Sequence, residues 1–157
     1  MSRARIKIGA LEPLAGYHLR RASAAFAVDF TIAMEGTGLR QVTFAVLSIV
    51  AANPGINQGT VGHILGIKRA NMVALINELI EKGLIDRLTD PRDRRAFALR
   101  TTASGENAMR DATARIHAHE ERMLAGFSEA DKAALLTLLE RIERQPIPSK
   151  AGRADRD

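Results

Sequence analysis

Hydrophobic residues recur at steps of three and four along most of this chain, which is the spacing of one face of an α-helix. The first such segment runs from Glu12 to Met34 and carries two apolar stripes instead of one. A helix that is apolar on two sides needs two surfaces to pack against, and we expect these to be its own fold and a second subunit. Gly36 and Gly38 then interrupt the helical pattern.

The second predicted helix runs from Arg40 to Ala52 and should be central and largely buried, because apolar residues occur on several of its sides. Its main apolar face comprises Val42, Ala45, Val46, Ile49 and Val50. Phe44 and Leu47 are expected elsewhere on its surface. Pro54 and Gly55 follow, and they end the helix because proline cannot continue the hydrogen-bond ladder.

Two shorter helices come next, from Gln58 to Leu65 and from Arg69 to Lys82, with Gly66 in the tight turn between them. Asn57 is the predicted N-cap of the first, and Gly83 lies where a left-handed C-terminal cap is expected for the second. The second helix should bury Met72, Leu75, Ile76 and Leu79. Two short helices joined by a glycine-containing turn constitute a helix-turn-helix unit.

The period of the pattern then shortens to about two residues, which predicts two short strands, from Leu84 to Thr89 and from Phe97 to Thr102. In the second strand, Phe97 and Leu99 should face inward. The residues between the strands, from Asp90 to Arg95, are polar and rich in arginine. We predict that they form the tip of a hairpin, which is a wing beside the helix-turn-helix unit.

Two helices complete the pattern, one from Ser104 to Gly126 and one that Ser128 opens as its N-cap. This order predicts a mainly α protein with a small wing of two or three β-strands. We expect a winged helix-turn-helix whose N- and C-terminal helices form a dimer. We expect residues 12–35 and 104–145 to be dimerisation helices, residues 40–102 the winged helix-turn-helix region, and residues 146–157 a disordered tail.

The helix from Arg69 to Lys82 has the dimensions to enter the major groove of DNA and read base edges. Its residues that point away from the core or lie near its start are Lys68, Arg69, Ala70, Asn71, Val73, Ala74 and Asn77. Arg69 can donate to guanine or phosphate, Asn71 can form two hydrogen bonds with adenine, and the small apolar residues can contact thymine methyl groups. An amphipathic helix without any DNA contact is the alternative for this segment taken alone.

The predicted hairpin tip carries Arg92, Arg94 and Arg95, which suit the narrow and negatively charged minor groove. Asp90 and Asp93 are expected to pair with these arginines and to hold the tip in shape. A solvated charged loop is the alternative. The tip favours DNA binding because it occurs together with the helix-turn-helix unit.

The composition agrees with a nucleic-acid partner. The net charge is +5 and the pI about 10.2, and a basic surplus of this kind favours polyanionic ligands. The absence of cysteine excludes disulfides, thiolate metal sites and thiol redox sensing. No apolar run is long enough to cross a bilayer and no secretory signal is recognisable, so we expect a cytoplasmic protein.

The segment from Gly66 to Ile85, followed by Asp90-Pro91-Arg92-Asp93-Arg94-Arg95-Ala96, resembles the MarR (multiple-antibiotic-resistance regulator) family. The resemblance implies a triangular homodimer with interlocking first and last helices, which usually represses genes near its own by binding pseudo-palindromes. Ala70 and Ala74 depart from the family, which often has Ser or Thr at the first position and a basic residue at the second. Base contacts are therefore expected to rest more on Arg69, Asn71 and Asn77.

The resemblance also implies a small effector that binds between the dimerisation helices and the winged unit and weakens DNA binding. Family effectors are often aromatic carboxylates, and some members bind aromatic acyl-CoA thioesters. The residues able to line an anion-tolerant pocket are Tyr17, His18, Arg20, Arg21, Arg40 and Phe44. The alternative is that these arginines form ion pairs at the dimer interface.

The four histidines are expected to be ordinary surface or interface residues and not metal ligands; they are His18, His63, His117 and His119. An enzyme is not expected, and neither is a cofactor, because no nucleophile elbow, phosphate-binding glycine loop or metal-spaced histidine pair occurs. A dimeric protein-interaction module without sequence-specific DNA binding is the other functional class. It explains the apolar stripes but not the arginines of the predicted wing.

Overall fold

The computed structural model describes residues 7–89 and 97–146. Within them, a 3-10 turn at Gly9–Leu11 precedes six α-helices and three strands. The helices are α1 (Ala15–Ala33), α2 (Gln41–Ala52), α3 (Gln58–Leu65), α4 (Arg69–Glu81), α5 (Ala103–Met123) and α6 (Glu129–Glu143). The strands are β1 (Ile56–Asn57), β2 (Ile85–Thr89) and β3 (Phe97–Thr101). The predicted class, a mainly α winged helix-turn-helix with a small sheet, is confirmed.

Local capping signals set most of the helix boundaries. Asn57 caps α3 as predicted, since its side-chain oxygen accepts a hydrogen bond from the Thr60 amide at 2.9 Å. Gly66 and Gly83 have φ of 64° and 66°, the left-handed conformation expected after a helix. Two boundaries differ from the prediction by more than one residue. The first helix begins at Ala15 because Leu14 is extended, and α5 ends at Met123, ahead of Gly126 at φ 90°.

The three strands form one antiparallel sheet in the order β1-β3-β2. Ile56 pairs with Leu99, and Ile85 pairs with Thr101. Leu99 is fully buried, as predicted. The predictions for Asp90, Arg92, Asp93, Arg94 and Arg95, for the Phe97 side chain and for nearly all of the 146–157 tail lie outside what the structure describes.

The core lies where α2, α4 and the sheet meet. Its fully buried larger side chains are Val46, Leu47, Val50, Val61, Met72, Ile76, Leu79, Ile85 and Leu99. The predicted inner face of α2 was partly wrong, because Leu47 and Thr43 are fully buried while Val42, Ala45 and Ile49 are only half-buried. The physical reason is that α2 contacts α3, α4, α5 and β3, so its interior is not a single stripe.

Burial of the Thr43 hydroxyl is compensated by the turn that begins α2. The hydroxyl accepts a hydrogen bond from the Arg40 amide at 2.8 Å and donates to the Arg40 carbonyl at 3.0 Å. Both hydrogen-bonding functions of the group are therefore used, which removes the cost of placing a hydroxyl in the core.

Among the described residues, those up to Met123 form one compact unit, and those from Leu124 onward form a second. In the second unit, Ser128 caps α6 as predicted, and Asp131 completes a capping box by accepting from the Ser128 amide at 3.0 Å. Leu136, Leu138 and Ile142 of α6 are exposed. Among the described residues, none of the helices combines the length and apolarity that a bilayer crossing requires.

Candidate nucleic-acid interface and effector cavity

Contacts between neighbouring residues hold the turn between α3 and α4, and they fix the orientation of the two helices relative to each other. The Ile67 amide donates to the Gly62 carbonyl at 2.8 Å, closing the turn after the left-handed Gly66. A Cβ on Gly62 would approach the Ile67 carbonyl oxygen to 3.1 Å, so the buried glycine permits this close packing. The turn presents the first residues of α4 to solvent.

One face of α4 is anchored in the core and the opposite face is exposed. Met72, Ile76 and Leu79 are buried as predicted, whereas Leu75 is only half-buried. The predicted DNA-contacting residues that are exposed are Lys68, Arg69, Ala70, Asn71, Ala74 and Asn77. Val73 is half-buried. The structure therefore brings the helix residues of the predicted DNA site together on one surface, and their role stays a prediction.

Asn77 has a partner within the protein that the sequence pattern did not indicate. Arg87 of β2 donates from Nη2 to the Asn77 Oδ1 at 3.1 Å, which joins α4 to the sheet. The amide oxygen of Asn77 is thus already engaged, and its amide nitrogen is the group that remains to donate to a base or phosphate. This contact shifts the expected base reading toward Arg69 and Asn71.

Glu78 of α4 joins this helix to the segment that precedes α2. Its carboxylate forms ion pairs with Arg40 and with Lys82, the latter at 2.8 Å. Lys82 also donates to the Gly38 carbonyl at 2.6 Å. The hydrogen bond from Lys82, and after it that from Arg40, holds the pKa of the Glu78 carboxyl below its ordinary value. Ion pairs and a hydrogen bond therefore tie α4 to residues 38–40.

The six predicted effector residues fall into separate groups. Arg20 and Arg21 flank the Tyr17 ring, with guanidinium carbons 5.9 and 5.8 Å from its centroid. His18 lies edge-on to the same ring and hydrogen-bonds the Glu12 carbonyl at 2.9 Å. These four residues form a cluster on the first half of α1. Arg40 and Phe44 lie on the turn and helix that follow, and Phe44 packs against the core.

Two cavities lie further along α1. The larger, of about 220 Å³, is lined by α1 and α5 residues together with Gln41; the side chains that shape it include Phe26, Phe30, Ile116 and His119. The smaller, of about 140 Å³, shares Ala27, Phe30 and Gln41 with it and is also lined by Arg40. Of the predicted effector residues, Arg40 alone lines either of these two cavities. The aromatic walls were not predicted, because the helical spacing of Phe26 and Phe30 was interpreted as part of an apolar stripe that packs into the core.

The wall of the larger cavity contains a buried histidine that sequence reasoning assigned to the surface or an interface. His119 is 3% exposed, and its Nδ1 lies 2.5 Å from Oδ2 of Asp29 on α1. Arg122 donates to the same carboxylate oxygen at 2.9 Å. The hydrogen bonds from His119 first, and from Arg122 as well, hold the pKa of the Asp29 carboxyl below its ordinary value.

The lowered pKa of Asp29 predicts a specific acid sensitivity. A carboxyl whose pKa is depressed in the folded state stabilises the fold fully above its ordinary value, and this contribution is lost as pH falls through the lower folded value. We therefore expect the free energy of unfolding to fall more steeply below about pH 4 in the wild type than in Asp29→Asn. Urea unfolding at pH 7, 5, 4 and 3 measures both slopes, with Asp111→Asn, an exposed α5 carboxylate, as control. Equal slopes for wild type and Asp29→Asn would refute the prediction.

Comparison with known proteins finds that this chain is similar to transcriptional regulators. A sequence model described as MarR family matches residues 37–96. A putative transcriptional regulatory protein for the hcr operon of Thauera aromatica is 32% identical over 137 residues, which cover 87% of this chain and 82% of that protein.

Two solved structures extend the similarity to three dimensions. The transcriptional repressor CouR bound to a 23-mer DNA duplex is 34% identical with a TM-score of 0.85, over 90% of this chain and 100% of CouR. CouR bound to p-coumaroyl-CoA is 32% identical with a TM-score of 0.79, over 90% and 100% of the two chains. The similarity thus covers both the α3–α4 unit and the helices that line the cavities.

Proposed function

Because this chain belongs to the MarR family of transcriptional regulators, we propose that it is a repressor whose homodimer binds a pseudo-palindromic operator and releases it when a small aromatic acid or its CoA thioester binds. In this proposal α4 enters the major groove, and the arginines between β2 and β3 contact the adjacent minor groove. The family assignment favours a regulator over an enzyme.

The observation that carries the DNA-binding part is the division of α4 into two faces. Its buried face is fixed by Met72, Ile76 and Leu79, so the exposed face is presented on a rigid element. Lys68 and Arg69 begin this face, at the end of the helix that enters the groove first in helix-turn-helix proteins. The TM-score of 0.85 to a DNA-bound repressor supports the same orientation of α4.

The dimer is proposed from the apolar residues that α1 and α6 leave exposed. Val28 and Ile32 of α1 are 65% and 57% exposed, and Leu136 of α6 is 62% exposed. No residue of α1 is fully buried in the single chain, although the helix carries two apolar stripes. A second subunit would cover these side chains, and the alternative of a protein-interaction module rests on the same exposed side chains.

The effector is proposed to place its aromatic ring in the cavity of about 220 Å³ between α1 and α5. This volume is below the usual range for a whole drug-sized ligand, so the rest of an acyl-CoA would extend outside it. Arg40, on the adjoining cavity, and Arg20, one helical turn before Ser23 on α1, would contact its carboxylate or phosphates. In this arrangement the Tyr17 ring packs beside Arg20, with His18 and Arg21 against the same ring, and Phe44 packs against the core one turn after Arg40.

Release of DNA is proposed to follow from competition for Arg40. In the present structure Arg40 pairs with Glu78 of α4. An anionic effector group beside Arg40 would replace the Glu78 carboxylate as its partner. Because α4 would then lose one of the ties to residues 38–40, its DNA-binding orientation would be less favoured. A ligand shifts such an equilibrium only through a difference in its contacts between the two states, and the Arg40 contact supplies one.

Glu78→Gln is expected to weaken operator binding about two- to fivefold without effector, because an exposed ion pair of this kind is worth up to about 1 kcal/mol. Glu81→Gln is the matched control, since it removes the same charge from the next exposed turn of α4. Removing an acid near DNA should strengthen binding by itself, so the two variants are expected to change affinity in opposite directions. Fluorescence anisotropy measures both, and a parallel increase in the two variants would contradict the coupling.

Footprinting on the DNA upstream of the gene tests the proposed function. We expect one protected segment containing two related half-sites about one helical turn, or a multiple of it, apart. Affinity should fall as salt rises, because phosphate contacts release counterions. Absence of protection on this and on randomised duplexes would favour the protein-interaction alternative.

A further inference from the structure

The buried His119 ring is fixed by contacts on two sides. Its edge-on neighbours Phe26 and Phe30 have ring centroids 5.5 and 5.9 Å away, with interplanar angles of 85° and 89°. Asp29 holds the Nδ1 side at 2.5 Å, and Arg122 holds Asp29. This chain satisfies the Nδ1 nitrogen and fixes the orientation of the ring between the two helices.

These contacts determine what the second ring nitrogen of His119, Nε2, can do. The Asp29 carboxylate only accepts hydrogen bonds, so Nδ1 of His119 carries a proton and donates to it. In the neutral ring Nε2 is then an acceptor, and it is the nitrogen left for a molecule in the cavity that His119 lines. An acceptor beside aromatic walls favours a ligand group that donates a hydrogen bond.

The charges around the cavity oppose an anion at this end. Asp29 neutralises Arg122, and with the His119 ring neutral the charged residue of the lining is Glu120. A carboxylate or phosphate would therefore be unfavourable here and belongs on the Arg40 side. The larger cavity accordingly suits an uncharged aromatic ring whose far end bears a hydroxyl group.

We propose that His119, oriented by Asp29, selects effectors with a hydroxyl on the aromatic ring by accepting a hydrogen bond from the phenolic O–H at Nε2. This inference rests on the proposed function, since it names the feature by which the effector is recognised. A ligand without the hydroxyl leaves the buried acceptor unpaired, and sites built for a hydroxyl reject such analogues strongly. The preference expected for one neutral hydrogen bond is about ten- to a hundredfold.

The test is calorimetric titration of the full-length protein without DNA, using three acyl-CoA probes. p-Coumaroyl-CoA carries the hydroxyl, cinnamoyl-CoA lacks it, and 4-methoxycinnamoyl-CoA has an oxygen that cannot donate. The wild type should bind the first about ten- to a hundredfold tighter than either of the others. His119→Leu should weaken only p-coumaroyl-CoA and bring the three affinities close together. His117→Leu, at an exposed position on the same helix, should keep the wild-type ratios.

The ratio of the affinities for the three probes distinguishes hydroxyl recognition by His119 from a structural role, because a distorted cavity would weaken the binding of all three probes alike. The wild-type series also tests the inference without any variant, should His119→Leu fail to fold. Equal affinity of the wild type for the three probes, or an unchanged ratio in His119→Leu, would overturn the role of His119 while leaving the proposed function in place. Binding of none of the three would overturn the acyl-CoA effector and this inference together.

Discussion

Gly105→Ala is expected to destabilise the protein by about 3 kcal/mol or more, although alanine favours helices over glycine by about 1 kcal/mol. Gly105 is buried in the first turn of α5, where a Cβ would lie 1.9 Å from the Leu84 carbonyl oxygen and 2.9 Å from its carbon. Both atoms belong to the backbone, so no flexible side chain can move aside. Steric overlap therefore outweighs helix propensity.

The hydrogen bonds around Gly105 make any displacement of α5 away from Leu84 costly. The Gly105 amide donates to Thr102 Oγ1 at 3.0 Å, and the Thr102 hydroxyl donates to the Gly83 carbonyl at 2.6 Å. Moving α5 away from Leu84 would strain this link between α5 and the end of α4. A loss of 3 kcal/mol corresponds to a melting temperature about 6–12 °C lower for a chain of this size.

Gly16→Ala provides the control for Gly105→Ala. Gly16 is an exposed helical residue of α1, and a Cβ there meets no heavy atom within 4 Å. Thermal unfolding of the two variants should therefore show a large decrease for Gly105→Ala and little change or a small increase for Gly16→Ala. Similar melting temperatures for the two would mean that α5 does not approach Leu84 as closely as the structure indicates.

Arg69→Ala is expected to weaken operator binding about tenfold to a hundredfold per half-site, the range for loss of one base-reading arginine. Arg69 is exposed at the first position of α4, and its side chain forms no hydrogen bond or ion pair with the residues that the structure describes. Its removal should therefore leave the fold and the dimer unchanged. In a symmetric complex both half-sites lose the contact.

Arg110→Ala is the charge-matched control, because it removes an exposed arginine from α5. Anisotropy titrations with operator and with a scrambled duplex should show a large loss for Arg69→Ala on the operator only. Arg110→Ala should lower both affinities slightly or not at all. Wild-type affinity in Arg69→Ala would exclude α4 as the helix that reads the bases at this position.

The sequence predicts those features that nearby residues determine. Asn57 and Ser128 cap their helices through residues three positions ahead, and Gly66 and Gly83 end theirs by adopting positive φ. Such signals are local, so they can be read without knowing the fold. The buried face of α4 was predictable for the same reason, since Met72, Ile76 and Leu79 follow the helical period.

Features that depend on distant pairs could not be predicted. The two-residue strand β1 exists because Ile56 meets Leu99, and it is too short to produce a periodic pattern. His119 was read as a surface or interface residue, because its partner Asp29 is 90 positions away. The Arg40–Glu78 pair, which ties α2 to α4, likewise joins residues 38 positions apart.

For the proposed effector site, the sequence pattern was likewise insufficient to choose between the two halves of α1. The sequence favoured the polar residues at the start of α1, yet the cavities lie beside Phe26 and Phe30 on its second half. Apolar residues at helical spacing are read as core, and their exposure to a cavity depends on how α5 packs against α1. Polarity therefore indicated arginines that we propose to bind an anion, but not the cavity that we propose for the aromatic ring.

The most direct test of a ligand-released repressor is one anisotropy titration. Labelled duplex from the DNA upstream of the gene is bound by the full-length protein, and p-coumaroyl-CoA or free CoA is then added. We predict tight, salt-sensitive binding that p-coumaroyl-CoA reverses at concentrations where free CoA has no effect. Binding that persists unchanged in saturating p-coumaroyl-CoA, or that free CoA reverses equally well, would contradict recognition of the aromatic acyl group.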